Sequence, residues 1–384
     1  MEPMDTIFSS KYILPFSVVA VALVVVLGAA FLLNQNVEPQ QTPTPTATVE
    51  VSEFEVRRLF EAGGQYGVAD LKISPDGTML VVTLESGGGY GPSSYIYSFP
   101  SPDQRIFPLN TSFHSMSWNP NSKILAYASS DGGEIIEGEI EDGEPALKSG
   151  IWIMNADGSG TKRLTSPDTI ANFPSWNPDG GKIIFVMEDS SNDFFQIWTM
   201  NKDGSNQRQL TNDLSNKATL RFSPNGELIL YRVIDREESH PSSEGYNFWV
   251  MNKDGSNKKE IVWAGKGITV GKLDSIRNIL WSPKGDKILI DDGRTWTINP
   301  DGSGLELLTD SRYVASDSVW SPDGIKTAYL GGGLWVMNSD GSNKMQLVEP
   351  LERGPTGPLA WSPDGKRILF INNFTEVWSI DLAQ

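Results

Sequence analysis

Two motifs from one stretch decide the fold: Trp176-Asn177-Pro178-Asp179-Gly180 before the run Lys182-Ile183-Ile184-Phe185-Val186, and Asn201-Lys202-Asp203-Gly204-Ser205 at the end of a run containing Trp198. Proline presets φ at the first turn position, Asp bonds back to the backbone, and Gly accepts the left-handed conformation. The first motif therefore closes a hairpin between the run ending at Trp176 and the apolar run Lys182–Val186. The second reverses the chain again, into Gln207–Thr211. The stretch reads as strand A, turn, strand B, loop, strand C, turn, strand D.

Working outward, the first motif recurs at Ile73–Gly77, Trp118–Ser122, Phe222–Gly226, Trp281–Gly285, Trp320–Gly324 and Trp361–Gly365, seven copies in all. The spacings between successive prolines are 45, 58, 46, 59, 39 and 41 residues. The second motif recurs as Trp152–Ser159, Trp249–Ser256, Trp296–Ser303 and Trp335–Ser342, with Val377-Trp378-Ser379-Ile380-Asp381 matching its first half and Tyr95–Ser98 as a weakened version. Four antiparallel strands per repeat of about 40–45 residues describe a propeller blade. An all-β, seven-bladed propeller of four-stranded blades is expected over 53–384.

These paired motifs resemble those of the TolB-type β-propellers, the WD40-like PD40 group, over about residues 53 to 384. The first two repeats are degenerate. The resemblance implies a protein–protein role, which is an analogy of fold and not of site.

The seventh repeat supplies strands A to C between Trp361 and Leu382 and no D strand. Glu53-Phe54-Glu55-Val56-Arg57-Arg58-Leu59-Phe60 matches the D strand of other repeats, such as Lys162-Arg163-Leu164-Thr165. It is predicted to close the ring, because closure removes exposed sheet edges.

Ahead of the repeats, residues 12–33 carry no charge and run Ile13-Leu14-Pro15-Phe16-Ser17-Val18-Val19-Ala20-Val21-Ala22-Leu23-Val24-Val25-Val26-Leu27 at their centre. About 20 apolar residues span a bilayer as a helix, and the run exceeds the core of a signal peptide. Residues 1–11 are then a short cytoplasmic tail. Lys11 lies on that side and no Lys or Arg follows until Arg57, so the positive-inside rule puts the repeats outside the cytoplasm. Residues 34–52, with Thr42-Pro43-Thr44-Pro45-Thr46, read as an extended Pro/Thr linker.

Composition narrows the chemistry. The 384-residue chain carries a formal charge of −17, which argues against nucleic acid as its partner. Zero cysteines exclude disulfides, thiolate metal sites and a thiol nucleophile. With only His114 and His240, a histidine-built metal site like those of some propeller lyases cannot be assembled. No Gly-x-Ser-x-Gly elbow occurs, and no carboxylate pair stands out by spacing. The run Asn201–Asn206 superficially resembles a calcium loop, but position 12 is Asn212 where Glu is needed, and a hairpin turn explains the Asp and Gly equally well. Eleven of twelve tryptophans occupy repeat positions in strands A and C, where packing is their default role; Trp263 is outside the pattern. No catalytic residue, metal or cofactor is expected.

Strand order puts A–B and C–D turns on one face and B–C and D–A connections on the other. The insertions all fall on the second face: Glu85–Pro92, Ser130–Gly150 with Glu139 and Glu141, Glu188–Asp193, Asp235–Pro241 and Trp263–Gly267. Variable loops on a rigid scaffold are where binding resides. The expected binding face comprises Tyr90, Glu139, Glu141, Phe194, Phe195, Arg236, His240, Tyr246 and Trp263, with the acidic loop attracting a basic partner and the aromatics as anchors. The expected function is a membrane-tethered extracytoplasmic interaction or assembly module at the cell envelope with a protein partner. The alternatives are a carbohydrate- or peptidoglycan-binding module, or a propeller glycosidase or lyase.

Overall fold

The computed structural model describes residues 55–62, 66–86, 93–99, 105–109, 115–130, 149–234, 246–262, 278–309, 316–349 and 355–382. All belong to one compact unit, Ser52–Gln384. Among them no helix is long and apolar enough to cross a membrane. The segment 12–33, to which a spanning helix was assigned, lies outside the described residues.

The strands fall into seven four-stranded antiparallel sheets. After β1 (Glu55–Glu61), blade 1 comprises β2 (Tyr66–Ile73), β3 (Met79–Ser86), β4 (Ser93–Ser98) and β5 (Arg105–Leu109). Blade 2 comprises β6 (Ser115–Trp118), β7 (Ile124–Ser130), β8 (Ser149–Asn155) and β9 (Lys162–Arg163). Blade 3 comprises β10 (Ala171–Trp176), β11 (Lys182–Asp189), β12 (Phe194–Asn201) and β13 (Arg208–Gln209). Blade 4 comprises β14 (Asn216–Phe222), β15 (Leu228–Ile234), β16 (Tyr246–Asn252) and β17 (Lys259–Val262). Blade 5 comprises β18 (Asn278–Trp281), β19 (Ile288–Asp291), β20 (Thr295–Ile298) and β21 (Glu306–Leu307). Blade 6 comprises β22 (Ser316–Trp320), β23 (Lys326–Leu330), β24 (Leu334–Asn338) and β25 (Met345–Val348). Blade 7 comprises β26 (Pro355–Trp361), β27 (Arg367–Asn372) and β28 (Glu376–Asp381), with β1 as its outermost strand.

Ring closure is therefore made as the sequence predicts. β1 pairs with β28 from Glu55↔Asp381 to Glu61↔Glu376, and Arg58 donates from Nη1 to Glu376 Oε1 at 2.9 Å. Just beyond β1, Ala62 N donates to the Thr375 carbonyl at 2.7 Å.

The turn motifs adopt the predicted geometry. In the A–B turn of blade 3, Gly180 N bonds Asn177 O at 2.8 Å with Gly180 at φ 71°. Neighbouring A–B turns also stack: a Cβ on Gly285 would stand 3.4 Å from Pro224, and one on Gly77 would stand 3.5 Å from Pro363 across the closure. In the C–D turns, Asn201 Nδ2 donates to Ser205 Oγ at 2.9 Å, and Ser205 N and Oγ donate to Asp203 Oδ1 at 2.9 and 2.7 Å. The same set recurs around Asp157, Asp254, Asp301 and Asp340. The Ser hydroxyl, then the Ser backbone N–H, holds each of these carboxyls below the ordinary aspartate value. One oxygen of each, Oδ1, accepts two bonds within its own turn, as the hairpin reading expects.

The D strands are shorter than predicted. Of Gln207–Thr211 only Arg208–Gln209 pairs. Leu210 N then bonds Ile197 O at 2.7 Å, and Thr211 Oγ1 accepts from Ile197 N at 2.9 Å. The chain turns inward and caps the edge of strand C with a threonine hydroxyl. Thr165 and Thr309 do the same for Ile151 and Thr295.

The core consists of seven apolar layers, one in each blade–blade interface. Leu230, Phe248 and Val250 of blade 4 meet Ile279, Ile288 and Ile290 of blade 5, and Leu71, Leu80 and Val82 of blade 1 meet Leu369, Ile371 and Val377 of blade 7. Strand tryptophans join these layers: Trp176, Trp281, Trp296, Trp320 and Trp361 are buried, and Trp152, Trp198, Trp249, Trp335 and Trp378 are half-buried. Such burial leaves the first group unable to stack on a sugar.

Candidate functional site

Strand A is the innermost strand of each blade, so the seven A strands line the central channel. Their pairing with strand B is interrupted near the residue five positions before the motif proline, at 172/175, 218/221, 316/319 and 356/360. At that position Phe173, Thr219 and Asp317 have φ of 55°, 49° and 53°. A left-handed β-branched or aromatic residue is costly, of order 1–3 kcal/mol, and such strain clusters at functional surfaces.

Beside these bulges lies a cavity of about 290 Å³ in the channel wall of blades 1 to 5. Its charged lining is Asp70, Lys72, Arg221 and Arg232, and its apolar lining includes Phe173 and Phe248. Lys72 and Arg221 occupy the same repeat position, three before the proline, where the other blades carry Ser117, Ser175, Leu280, Val319 and Ala360. Arg232 lies in strand B opposite Ala218 and beside Phe248.

Arg221 Nε is sealed from solvent with no hydrogen-bond partner. Burial lowers its guanidinium from the ordinary value and the Asp70 charge acts in the opposite sense; an arginine nevertheless stays protonated. Asp70 is itself engaged, its Oδ1 accepting from Leu71 N at 2.8 Å and lying 3.3 Å from Lys72 Nζ. In a chain of net charge −17, this part of the channel wall is cationic. It does not fit a divalent metal, and among the described residues no group of His, Cys, Asp or Glu is placed to hold one. His114 and His240 lie outside the described residues.

The loop face is partly described. Tyr90, Glu139, Glu141, Arg236, His240 and Trp263 lie outside the described residues, and Tyr246 is the first residue of β16, paired with Ile234. Phe194 and Phe195 begin β12, where the predicted anchor Phe195 packs on the core layer of Ile184, Val186 and Ile197. It is half-buried there, because its strand alternation points it between blades 3 and 4. Among the described residues, two other apolar side chains project from this face. Leu214 is 75 % exposed between Asp213 and Ser215, which both turn in to the buried Lys217: its Nζ donates to the Asp213 carboxylate and to Ser215 O at 2.8 Å. Phe374 is 63 % exposed in the three-residue connection, 373–375, between β27 and β28, where Thr375 N donates to Asn372 O at 3.3 Å. Asn373 and Phe374 there have φ of 54° and 62°, a type I′ turn in which glycine is the favoured second residue.

Sequence reasoning passed over Arg221, Arg232 and Lys72. The signal was a cation at a repeat position otherwise small or apolar, legible only once that position is known to face the channel. Phe374 was legible as a bulky residue in an Asn-x hairpin turn.

The molecule is thus a closed seven-bladed β-propeller, as the sequence motifs imply, with a cationic patch in its channel wall and, among the described residues, two projecting apolar side chains on its loop face. No protein-family model matches the chain, and no curated protein matches it. Among solved structures, an oligogalacturonate lyase in complex with manganese is similar with a TM-score of 0.60 and 11 % identity, covering 86 % of this chain and 96 % of that one. A chain of the mitotic checkpoint complex is similar with a TM-score of 0.59 and 15 % identity, covering 92 % and 100 %. TolB from Acinetobacter baumannii aligns with a TM-score of 0.43 and 15 % identity, covering 84 % and 66 %. At these identities the likeness is one of fold.

Proposed function

We propose that this chain is a membrane-tethered, extracytoplasmic propeller that acts as a protein–protein interaction module at the cell envelope, docking its partner on the loop face. The observation that carries this reading is Phe374, held exposed at a left-handed turn position where glycine would fit without strain. A bulky aromatic kept there at a cost to stability is explained by an interaction outside the chain. Leu214 on the same face supports the reading. The opposite face presents turns whose Asp, Asn and Ser side chains satisfy one another, with Ile325 the exposed apolar side chain among its described A–B turns. A propeller of similar fold is part of the mitotic checkpoint complex, so the scaffold is compatible with assembly. The tether rests on the uncharged run 12–33 with Lys11 before it.

The test is crosslinking in native membranes with Phe374→Gly and Leu214→Ser. Phe374→Gly is expected to fold at least as stably as the parent and to lose the crosslinked partner; Ser205→Ala on the turn face keeps it. Unchanged crosslinks in both loop-face variants would refute the docking assignment. Deleting 12–33 should move the protein from the membrane to the soluble fraction, and retention in the membrane would refute the tether.

A further inference from the structure

We infer that the cavity in the channel wall is a binding site for a small organic carboxylate, separate from the loop-face docking surface. The residues that line it carry two positive charges in excess, from Lys72, Arg221 and Arg232 against Asp70. Asp70 accepts from its neighbour's backbone and from Lys72, so it leaves Arg221 without a direct ion pair among the described residues. Arg221 is half-buried against the cavity, its Nε covered and lacking an acceptor, a state that a carboxylate on the accessible part of the guanidinium relieves, because the planar fork of arginine matches its two oxygens.

Size and lining narrow the ligand. A volume of about 290 Å³ lies at the lower end of small-molecule pockets and suits a compact molecule rather than a polymer. Phe173, Pro174, Leu220 and Phe248 share the wall with the arginines. Apolar surface beside the charges favours an anion with a carbon skeleton over inorganic phosphate, and an excess of two charges favours a dicarboxylate over acetate. The left-handed residues Phe173 and Thr219 are the backbone distortions that flank this cavity.

Isothermal titration of the full chain in detergent, with acetate, succinate, citrate, neutral succinamide and inorganic phosphate, tests the inference. Succinate is expected to bind and succinamide not to bind. Arg221→Met should weaken succinate by about tenfold or more, the value of a charge-assisted hydrogen bond, with Arg221→Lys in between. Arg221→Met should also raise the unliganded unfolding temperature, since replacing a half-buried charge that has no direct ion pair by an apolar group is stabilising; a merely structural arginine would move it the other way. If Arg221→Met does not fold, Lys72→Met and Arg232→Met carry the same expected loss. Binding of none of the carboxylates, binding of phosphate alone, or equal succinate affinity in the parent and the variants overturns the inference. Partner crosslinking is unaffected by these variants, so failure here is distinguishable from failure of the docking surface.

Discussion

Replacing Glu376 by Ala tests how the ring is locked. Glu376 sits at the first position of β28 and receives three donors: Asn372 Nδ2 at 2.9 Å, Trp378 Nε1 at 3.0 Å and Arg58 Nη1 at 2.9 Å. Arg58 belongs to the closing strand, so the carboxylate ties β1 to the last blade. Its side chain is 17 % exposed and that of Arg58 is 51 % exposed. The ion pair is therefore screened and contributes roughly 0.5 kcal/mol. The two neutral donors, bonded to a charged acceptor and half-buried, contribute about 1–1.5 kcal/mol each. The expected loss is about 3 kcal/mol. For a cooperative unit spanning Ser52–Gln384, the unfolding entropy is about 0.7 kcal/mol/K, so the loss corresponds to a fall in Tm of about 4 °C. Calorimetry measures the fall and hydrogen exchange locates it, with faster exchange in β1 and β28 before the other blades. Burial pushes the Glu376 carboxyl upward, but Asn372, Arg58 and Trp378 outweigh it and hold the group below its ordinary value. Its contribution is thus complete above the unfolded value, near pH 4, and disappears as pH falls through the lower folded value. A Tm within 1 °C of the parent at pH 7, or exchange that accelerates in every blade equally, would refute the reasoning.

The remaining predictions concern turns and core. Gly255→Ala places a Cβ 2.8 Å from the Leu210 carbonyl oxygen at φ +90° and should cost about 2–3 kcal/mol, whereas Gly77→Ala, with 3.5 Å of clearance at φ +72°, should cost about 1 kcal/mol; urea unfolding of the two variants compares them. Stability should be flat from neutral pH to about pH 5 and decline below about pH 4, because the carboxyls of Asp157, Asp203, Asp254, Asp301 and Asp340 are all lowered in the folded state. Changing the paired serines Ser159, Ser205, Ser256, Ser303 and Ser342 to Ala should flatten that acid slope, and an unchanged slope would contradict the assignment. Phe370→Ala empties a site that is 1 % exposed in the layer between blades 6 and 7 and should cost about 4 kcal/mol by chemical denaturation.

Much of this molecule was legible in the chain because its determinants are local. Pro-Asp-Gly and Asn-x-Asp-Gly-Ser set backbone angles within five residues, so the hairpins and the number of blades follow without tertiary information. The closing strand was legible for a related reason: Arg57-Arg58-Leu59 repeats the pattern of a D strand. The packing of Phe195 was not legible, because position at the start of a strand does not give direction. One residue of strand alternation turns it from solvent into the layer between blades 3 and 4.

The sequence by itself determined the seven repeats, their turns, the closure and the packing role of the tryptophans, since each depends on short-range stereochemistry and on a period that copies itself. Only the tertiary structure decided where charges meet. Asp70 in blade 1 is far in the chain from Arg221 and Arg232 in blade 4, and the two blades line one cavity only when the ring closes. The same holds for Phe374, whose exposure results from a left-handed turn on a finished blade. Electrostatic and solvent contacts act through space, and the ring sets those distances.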